Sequence, residues 1–194
     1  MVIINCAALA DPLIALELFG YEKEGFGGIT ESRPGKIEGA HGGTLFLDEI
    51  GAMPPELQEQ MVRILQDKKI QRIGSRISIP IDIRIIASTN HNLEKEIASG
   101  RFRHDFYYRL TVYSIIMPSL AVRGDDILLL ANYFSQINCR RFNKPFHGIS
   151  DAMAKELLAY SWPGNIRELQ NIIEHSVILS NGRYQLELKR KLES

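Results

Sequence analysis

Gly42-Gly43-Thr44-Leu45-Phe46-Leu47-Asp48-Glu49 is the stretch whose reading decides the fold class. Thr44–Leu47 has the apolar run of a buried strand, and two acids follow at its carboxyl end. In open α/β sheets, ligands bind in the crevice beyond the carboxyl ends of the strands, so this order places carboxylates where such a site lies. Working outward, strand-like and helix-like patterns alternate. Upstream, Val2–Asn5 reads as a short strand, and Asp11 and Pro12 open a short helix bearing Leu13, Ile14, Leu16 and Leu18. Downstream, Pro54 and Pro55 start a helix with Leu57, Met61, Ile64 and Leu65 in one apolar stripe. Lys69–Pro80 reads as a hairpin around Gly74-Ser75, and Ile81–Ser88 and Val112–Met117 read as two further strands. Gly20–Gly35 holds five glycines, fits neither period, and reads as a loop or protruding hairpin. The alternation predicts an α/β layered fold.

After Pro118 the pattern becomes helical. Asp125 or Asp126 is placed to cap a helix running to about Arg141, Ser150 to cap a second, and Trp162-Pro163-Gly164-Asn165 leads into a third ending near Asn181-Gly182. These patterns divide the chain into an α/β core over 1–120, a small all-helical domain over 121–182 and a tail over 183–194.

Composition narrows the function classes. The chain has 194 residues, 45% of them apolar, enough for one domain with a small appendage. Lys+Arg and Asp+Glu balance at 23 each, which argues against an autonomous DNA-binding module with a strongly basic face. Cys6 and Cys139 are far apart and carry neither a C-x-x-C spacing nor a histidine cluster, so neither a disulfide framework nor a zinc site is expected and a reducing cytoplasm is the default. The opening residues are too short for a membrane span and lack the basic start of a signal peptide.

The acids have a chemical reading of their own. Asp48 suits a water-mediated hold on Mg²⁺, and Glu49 suits activation of an attacking water. Taken alone, an apolar strand followed by Asp-Glu also fits a strand followed by a helix cap. The wider sequence carries more. NCAAL at Asn5–Leu9, ELFGYEK at Glu17–Lys23, GGTLFLDEIGAMP at Gly42–Pro54, LQEQMVRILQ at Leu57–Gln66, ASTN at Ala87–Asn90, RFRHDFYYRL at Arg101–Leu110 and WPGNIRELQNIIE at Trp162–Glu174 follow one another in order. Over Asn5–Arg167 the chain resembles the central AAA+ ATPase domain of bacterial sigma-54-dependent transcription activators.

That resemblance implies a P-loop NTPase-type parallel sheet followed by an all-α lid, with ATP and Mg²⁺ as cofactors. Asp48 and Glu49 would be the Walker B pair, with Asp48 toward Mg²⁺. Asn5 would match an asparagine that restrains the catalytic glutamate, its alternative being a structural residue ending the first strand. Thr89 and Asn90 would be sensor I, which on an unrelated strand would read as a turn. Arg103 and Arg109 would be arginine fingers reaching a neighbouring subunit's nucleotide, where the bland reading is a pair of solvated helix arginines. Arg167 would be the sensor II arginine of the lid. The implied partners are sigma-54 RNA polymerase and further copies of the chain in a typically hexameric ring. DNA would be contacted only through a domain this chain does not contain, and the location would be the cytoplasm without a membrane.

Two departures qualify the resemblance. No G-x-x-x-x-G-K-S/T phosphate loop occurs in the 194 residues. The expectation is a chain that starts downstream of that loop, lacks the family's central Walker A strand, and by itself does not bind ATP tightly. The glycine-rich stretch also differs. Where family members carry G-A-F-T-G-A toward sigma-54, this chain has Glu24-Gly25-Phe26-Gly27-Gly28-Ile29, keeping the aromatic and losing the threonine. Gly25, Phe26, Gly27 and Gly28 are therefore the candidate sigma-contacting residues. The alternative function is a regulatory or structural AAA+ relative that assembles without remodelling the polymerase.

Overall fold

The computed structural model describes residues 1–10, 12–23, 31–181 and 185–188. In chain order, the first unit contains β1 (Val2–Asn5), α1 (Pro12–Phe19), β2 (Gly20–Tyr21), β3 (Arg33–Pro34), α2 (Lys36–Gly39), β4 (Gly43–Asp48), α3 (Pro55–Asp67), β5 (Lys69–Gln71), β6 (Ser78–Pro80), β7 (Ile83–Ala87), α4 (Leu93–Ala98) and α5 (His104–Leu110). The second contains α6 (Asp126–Arg141), α7 (Asp151–Ala159) and α8 (Asn165–Leu179). Compactness divides the chain into Met1–Ser114 and Ile115–Ser194.

The first unit is built on a parallel three-stranded sheet in the order β1-β4-β7. Its register aligns Val2, Leu45 and Ile85 across the sheet, then Ile3, Phe46 and Ile86, then Ile4, Leu47 and Ala87. Side chains alternate between faces, so one face carries Ile4, Leu45 and Leu47, all buried in a core shared with Met61 and Ile64 of α3 and Phe106 of α5. The opposite face is open, with Ile3 57% and Ile86 40% exposed. Parallel strands of this apolarity are normally covered on both faces. Among the described residues, only one face is.

Local chemistry explains the helices. Pro55 begins α3, where a missing N–H costs nothing, and Lys68 ends it in the left-handed region at φ 51°, its N–H bonding the Ile64 carbonyl at 2.9 Å. Asn92 caps α4 by accepting from Lys95 N–H at 3.0 Å. β5 and β6 form the expected antiparallel hairpin, with Gly74 at φ 82°. Val112–Met117 differs from expectation. It pairs with no strand among the described residues, and Val112 is 87% and Ile116 92% exposed. An apolar run becomes a strand only where a neighbour completes its hydrogen bonds, and none does so here.

In the second unit, α6, α7 and α8 pack around Ile127, Ala131, Met153, Leu157, Trp162, Leu169, Ile173 and Val177. Ser150 Oγ caps α7 by accepting from Met153 N–H at 3.2 Å. Asp125 precedes α6 without a side-chain capping bond, and Arg123 instead pairs with Asp126 at 3.0 Å. Trp162 Nε1 donates to the Leu157 carbonyl at 2.9 Å, and Glu168 reaches back to accept from Gly164 N–H at 2.8 Å, satisfying an orphan donor at the start of α8.

The described ends of the glycine-rich stretch are joined by the short β2–β3 pair. Its base is tied by Arg72, which forks onto Glu38 at 2.8 and 2.9 Å and reaches Glu22 at 3.0 Å, while Ser32 Oγ donates to Glu22. The hydrogen bonds and charge of Arg72 hold the Glu38 carboxyl below its usual range. Two glycines make this base possible. Gly20 sits at φ +75°, and a β-carbon on Gly35 would lie 2.3 Å from the Leu18 carbonyl oxygen and 2.4 Å from Gly20 N. Gly35→Ala should therefore destabilise the chain by about 2–3 kcal/mol in urea denaturation, the scale of overpacking a tight site. Gly39→Ala, where a β-carbon meets nothing within 4 Å, should leave stability within about 0.5 kcal/mol of wild type.

Candidate functional site

Parallel register brings the sequence-predicted acids and polar residues to one end of the sheet. β1 and β4 set Asn5 opposite Asp48, and β7 ends one residue before Ser88. Ser88 brackets the acids. Its N–H donates to the Leu47 carbonyl at 2.9 Å, its Oγ donates to Asp48 Oδ1 at 2.5 Å, and its carbonyl accepts from Ile50 N–H at 2.9 Å. Between these bonds, Glu49 takes the left-handed conformation at φ 53°, ψ 46°. A non-glycine residue pays roughly 1–2 kcal/mol there, and such strain persists where surroundings over-determine the backbone.

The turn after Glu49 lies against the sensor segment. A β-carbon on Gly51 would stand 3.0 Å from Thr89 Oγ1 and 2.8 Å from His91 Cβ, so only glycine permits this approach. Thr89 Oγ1 accepts from His91 N–H at 3.0 Å, which shapes the loop leading to Asn90. Thr89 and Asn90 are exposed, and Asp48 and Glu49 are partly exposed. Asn5 Oδ1 accepts from Ala7 N–H at 2.8 Å, so the amide Nδ2 is the part of its side chain able to donate to a carboxylate such as Glu49.

Arg103 stands at the N-terminus of α5, and Arg109 occupies its last turn; both are exposed. Arg103 forks onto Asp105 at 2.8 and 3.1 Å, which holds the Asp105 carboxyl below its ordinary value. Arg167 is exposed in the first turn of α8, within the second unit. Gly25, Phe26, Gly27 and Gly28 lie outside the described residues.

Three residues at this site were not singled out from sequence: Ser88, Gly51 and Gln58. Gln58 is fully buried on α3, where a polar residue beside an apolar stripe reads as surface. Its only sequence signal is its place three residues before Met61 and four before Val62, on the inward side of the helix.

The donor set fits Mg²⁺. That cation is hard, keeps several waters and takes one or two carboxylates, and Asp48 offers a partly exposed carboxylate with one oxygen fixed by Ser88. A triphosphate is matched less completely, because the chain contains no phosphate-loop sequence.

Cys6, wholly buried and next to Asn5, has its thiol pushed up to about 12, first by burial and then by the charges of Asp48 and Glu49. The folded chain thus retains a proton that the unfolded chain releases above its ordinary value of 9.0. By linkage, stability is unaffected by this group below the unfolded value and falls as pH rises toward the folded one, by up to about 1.4 kcal/mol per pH unit. Cys6→Ala should show a shallower decline than wild type in denaturation midpoints measured from about pH 8 to about pH 11. Parallel curves would contradict the assignment.

Comparison with known proteins places this geometry. A family profile described as Sigma-54 interaction domain matches residues 1–116, and one described as AAA+ ATPase lid domain matches residues 121–190. The chain is 46% identical over 184 residues to the transcriptional regulatory protein ZraR of Klebsiella oxytoca, a match covering 95% of this chain and 42% of ZraR. It is 46% identical over 176 residues to the Sigma54-dependent transcriptional regulator SfnR of Pseudomonas fluorescens, covering 91% of this chain and 48% of SfnR. Among solved structures, NtrX from Brucella abortus in complex with ADP superposes with a TM-score of 0.84 at 38% identity, covering 96% of this chain and 41% of that one. The chain spans less than half the length of these relatives. With an α/β unit built on a parallel sheet, a helical unit following it in the sequence and a matching profile over each, the chain belongs to the sigma-54 interaction domain family of AAA+ proteins.

Proposed function

We propose that this chain is the energy-coupling section of a sigma-54-dependent transcription activator, which remodels sigma-54 RNA polymerase by ATP hydrolysis. The observation that carries the reading is the cluster at the end of β4, where Ser88 holds Asp48, Glu49 takes a left-handed conformation and the turn after it lies against Thr89. In the full-length protein, Asp48 would hold Mg²⁺ through water, Glu49 activates the attacking water, and Asn5 restrains Glu49 until the assembly is productive. Thr89 and Asn90 report the γ-phosphate. A phosphate loop supplied outside these residues would cradle the triphosphate, and Mg²⁺ held by Asp48 would supply neutralisation of the charge developing there.

Residues 1–120 form the core in this reading, 121–182 the lid and 183–194 a tail, although Leu186 of that tail is buried in the helical unit and pairs with Ile149. Arg167 closes the lid over the nucleotide of its own subunit. Arg103 and Arg109 serve the neighbouring subunit in a hexameric ring. A guanidinium offers a fixed fork of donors to the charge spread over the transferring phosphoryl group, and a finger supplied in trans contributes about 10³–10⁵ in rate. Arg103 reaches that position by leaving Asp105. The protein works in the cytoplasm and contacts DNA through a separate domain.

Gly27, standing where the family's threonine does, favours a second reading, a relative that assembles without remodelling. The two are separated by retention of sigma-54 on the full-length protein trapped with a transition-state analogue of ATP. The remodelling reading expects retention by wild type, equal or stronger retention by Gly27→Thr, and loss on Phe26→Ala, since one aromatic anchor typically carries about 2 kcal/mol or more. Retention by neither wild type nor Gly27→Thr would leave the second reading in its place.

A further inference from the structure

Gln58 is fully buried, and its amide joins three separate segments of the first unit. Nε2 donates to the Met53 carbonyl at 2.7 Å and to the Arg101 carbonyl at 2.9 Å. Oε1 accepts from Arg103 N–H at 2.7 Å. Both amide donors and one of the two acceptor sites are thus used. An apolar residue of equal volume would fill the space without the cost of burying an amide. What glutamine adds at this position is the set of bonds.

The partners have different tasks. Met53 closes the 3-10 turn Ile50–Ala52, which starts directly after Glu49, and its own N–H bonds the Ile50 carbonyl at 3.1 Å. Arg101 and Arg103 belong to the connection entering α5. Glu96 anchors that connection from the other side, accepting at its carbonyl from Arg101 N–H at 3.0 Å and Phe102 N–H at 3.2 Å. Arg103 is the N-cap of α5 and makes no side-chain capping bond. Its backbone N–H is held by Gln58, and among the described residues its guanidinium is held only at the exposed surface, by Asp105 and, more distantly, Glu59 at 4.0 Å.

We infer that Gln58 is a positioning residue that couples the acid turn of one subunit to the arginine that subunit presents to its neighbour. A shift of the turn after Glu49 is carried through Met53, the Gln58 amide and the Arg103 backbone to the start of α5. The site that hydrolyses nucleotide thereby sets the readiness of the next site. The inference rests on the role proposed above for Arg103.

Two measurements test it. In this chain, amide hydrogen exchange is compared between wild type and Gln58→Met, which keeps side-chain length and loses all three bonds. Arg103 N–H should exchange roughly 100-fold faster in the variant, with β4 and α8 amides changing far less, the pattern of a local opening. An unchanged Arg103 rate, or a uniform rise across the chain, would overturn the strut.

In the full-length protein, Gln58→Met subunits are mixed with Glu49→Gln subunits. The former keep their own acids and the latter present a correctly held Arg103, so ATP hydrolysis in the mixture should exceed the sum of the separate preparations by at least about tenfold, as expected when a finger lost in trans is returned. No recovery would overturn coupling through Arg103. If Gln58→Met does not fold, Gln58→Asn, whose amide is one methylene too short to reach Met53, Arg101 and Arg103 together, takes its place in both measurements with the same outcomes. Should full-length wild type hydrolyse no ATP, the proposed function has failed, and the exchange measurement alone decides the strut.

Discussion

The hydroxyl of Ser88 donates to Asp48 at the point where β4 and β7 stop pairing. Two backbone bonds flank it, one to Leu47 before the acids and one from Ile50 after them. Together they fix the chain on both sides of Asp48-Glu49, and this makes the left-handed Glu49 tolerable. A bond to a charged group contributes about 1.5–3 kcal/mol, enough to offset the roughly 1–2 kcal/mol of that backbone conformation. The rest of the site follows from this junction. The turn after Glu49 can pass close to Thr89 only because residue 51 is glycine, and the same turn delivers Met53 to Gln58.

The sheet explains why the junction sits where it does. Parallel register carries Asn5, Asp48 and Ser88 to one end, as the βαβ order requires. Burial secures only one side of that sheet. Ile4, Leu45 and Leu47 share the core with α3 and α5, whereas Ile3 and Ile86 remain exposed on the other face. The apolar runs of all three strands are written for two covered faces. Among the described residues, that requirement is met on one face.

Much of this was legible in the sequence because local chemistry decided it. The strand of Thr44–Leu47, the helix after Pro54-Pro55, the Gly74 hairpin and the Ser150 cap each carry their own signal and appear as read. Val112–Met117 did not, because an apolar stretch states a need for burial and leaves the partner unspecified. Gln58 was invisible for the opposite reason: its value lies in three partners up to 45 positions away, none of which changes its local pattern. Ser88 was legible as a strand end and not as the holder of Asp48, since that bond depends on how β4 and β7 align. The resemblance supplied the roles of Arg103, Arg109 and Arg167; nothing local distinguishes them from other exposed helix arginines.

The account depends on Ser88 and Asp48 acting as one unit at the end of the sheet. A double-mutant cycle in this chain, with Ser88→Ala, Asp48→Asn and both together followed by urea denaturation, measures that dependence directly. The account predicts a coupling energy of about 1 kcal/mol or more, in the range of charge-assisted hydrogen bonds. Additive effects, with the double variant losing the sum of the single losses, would contradict it.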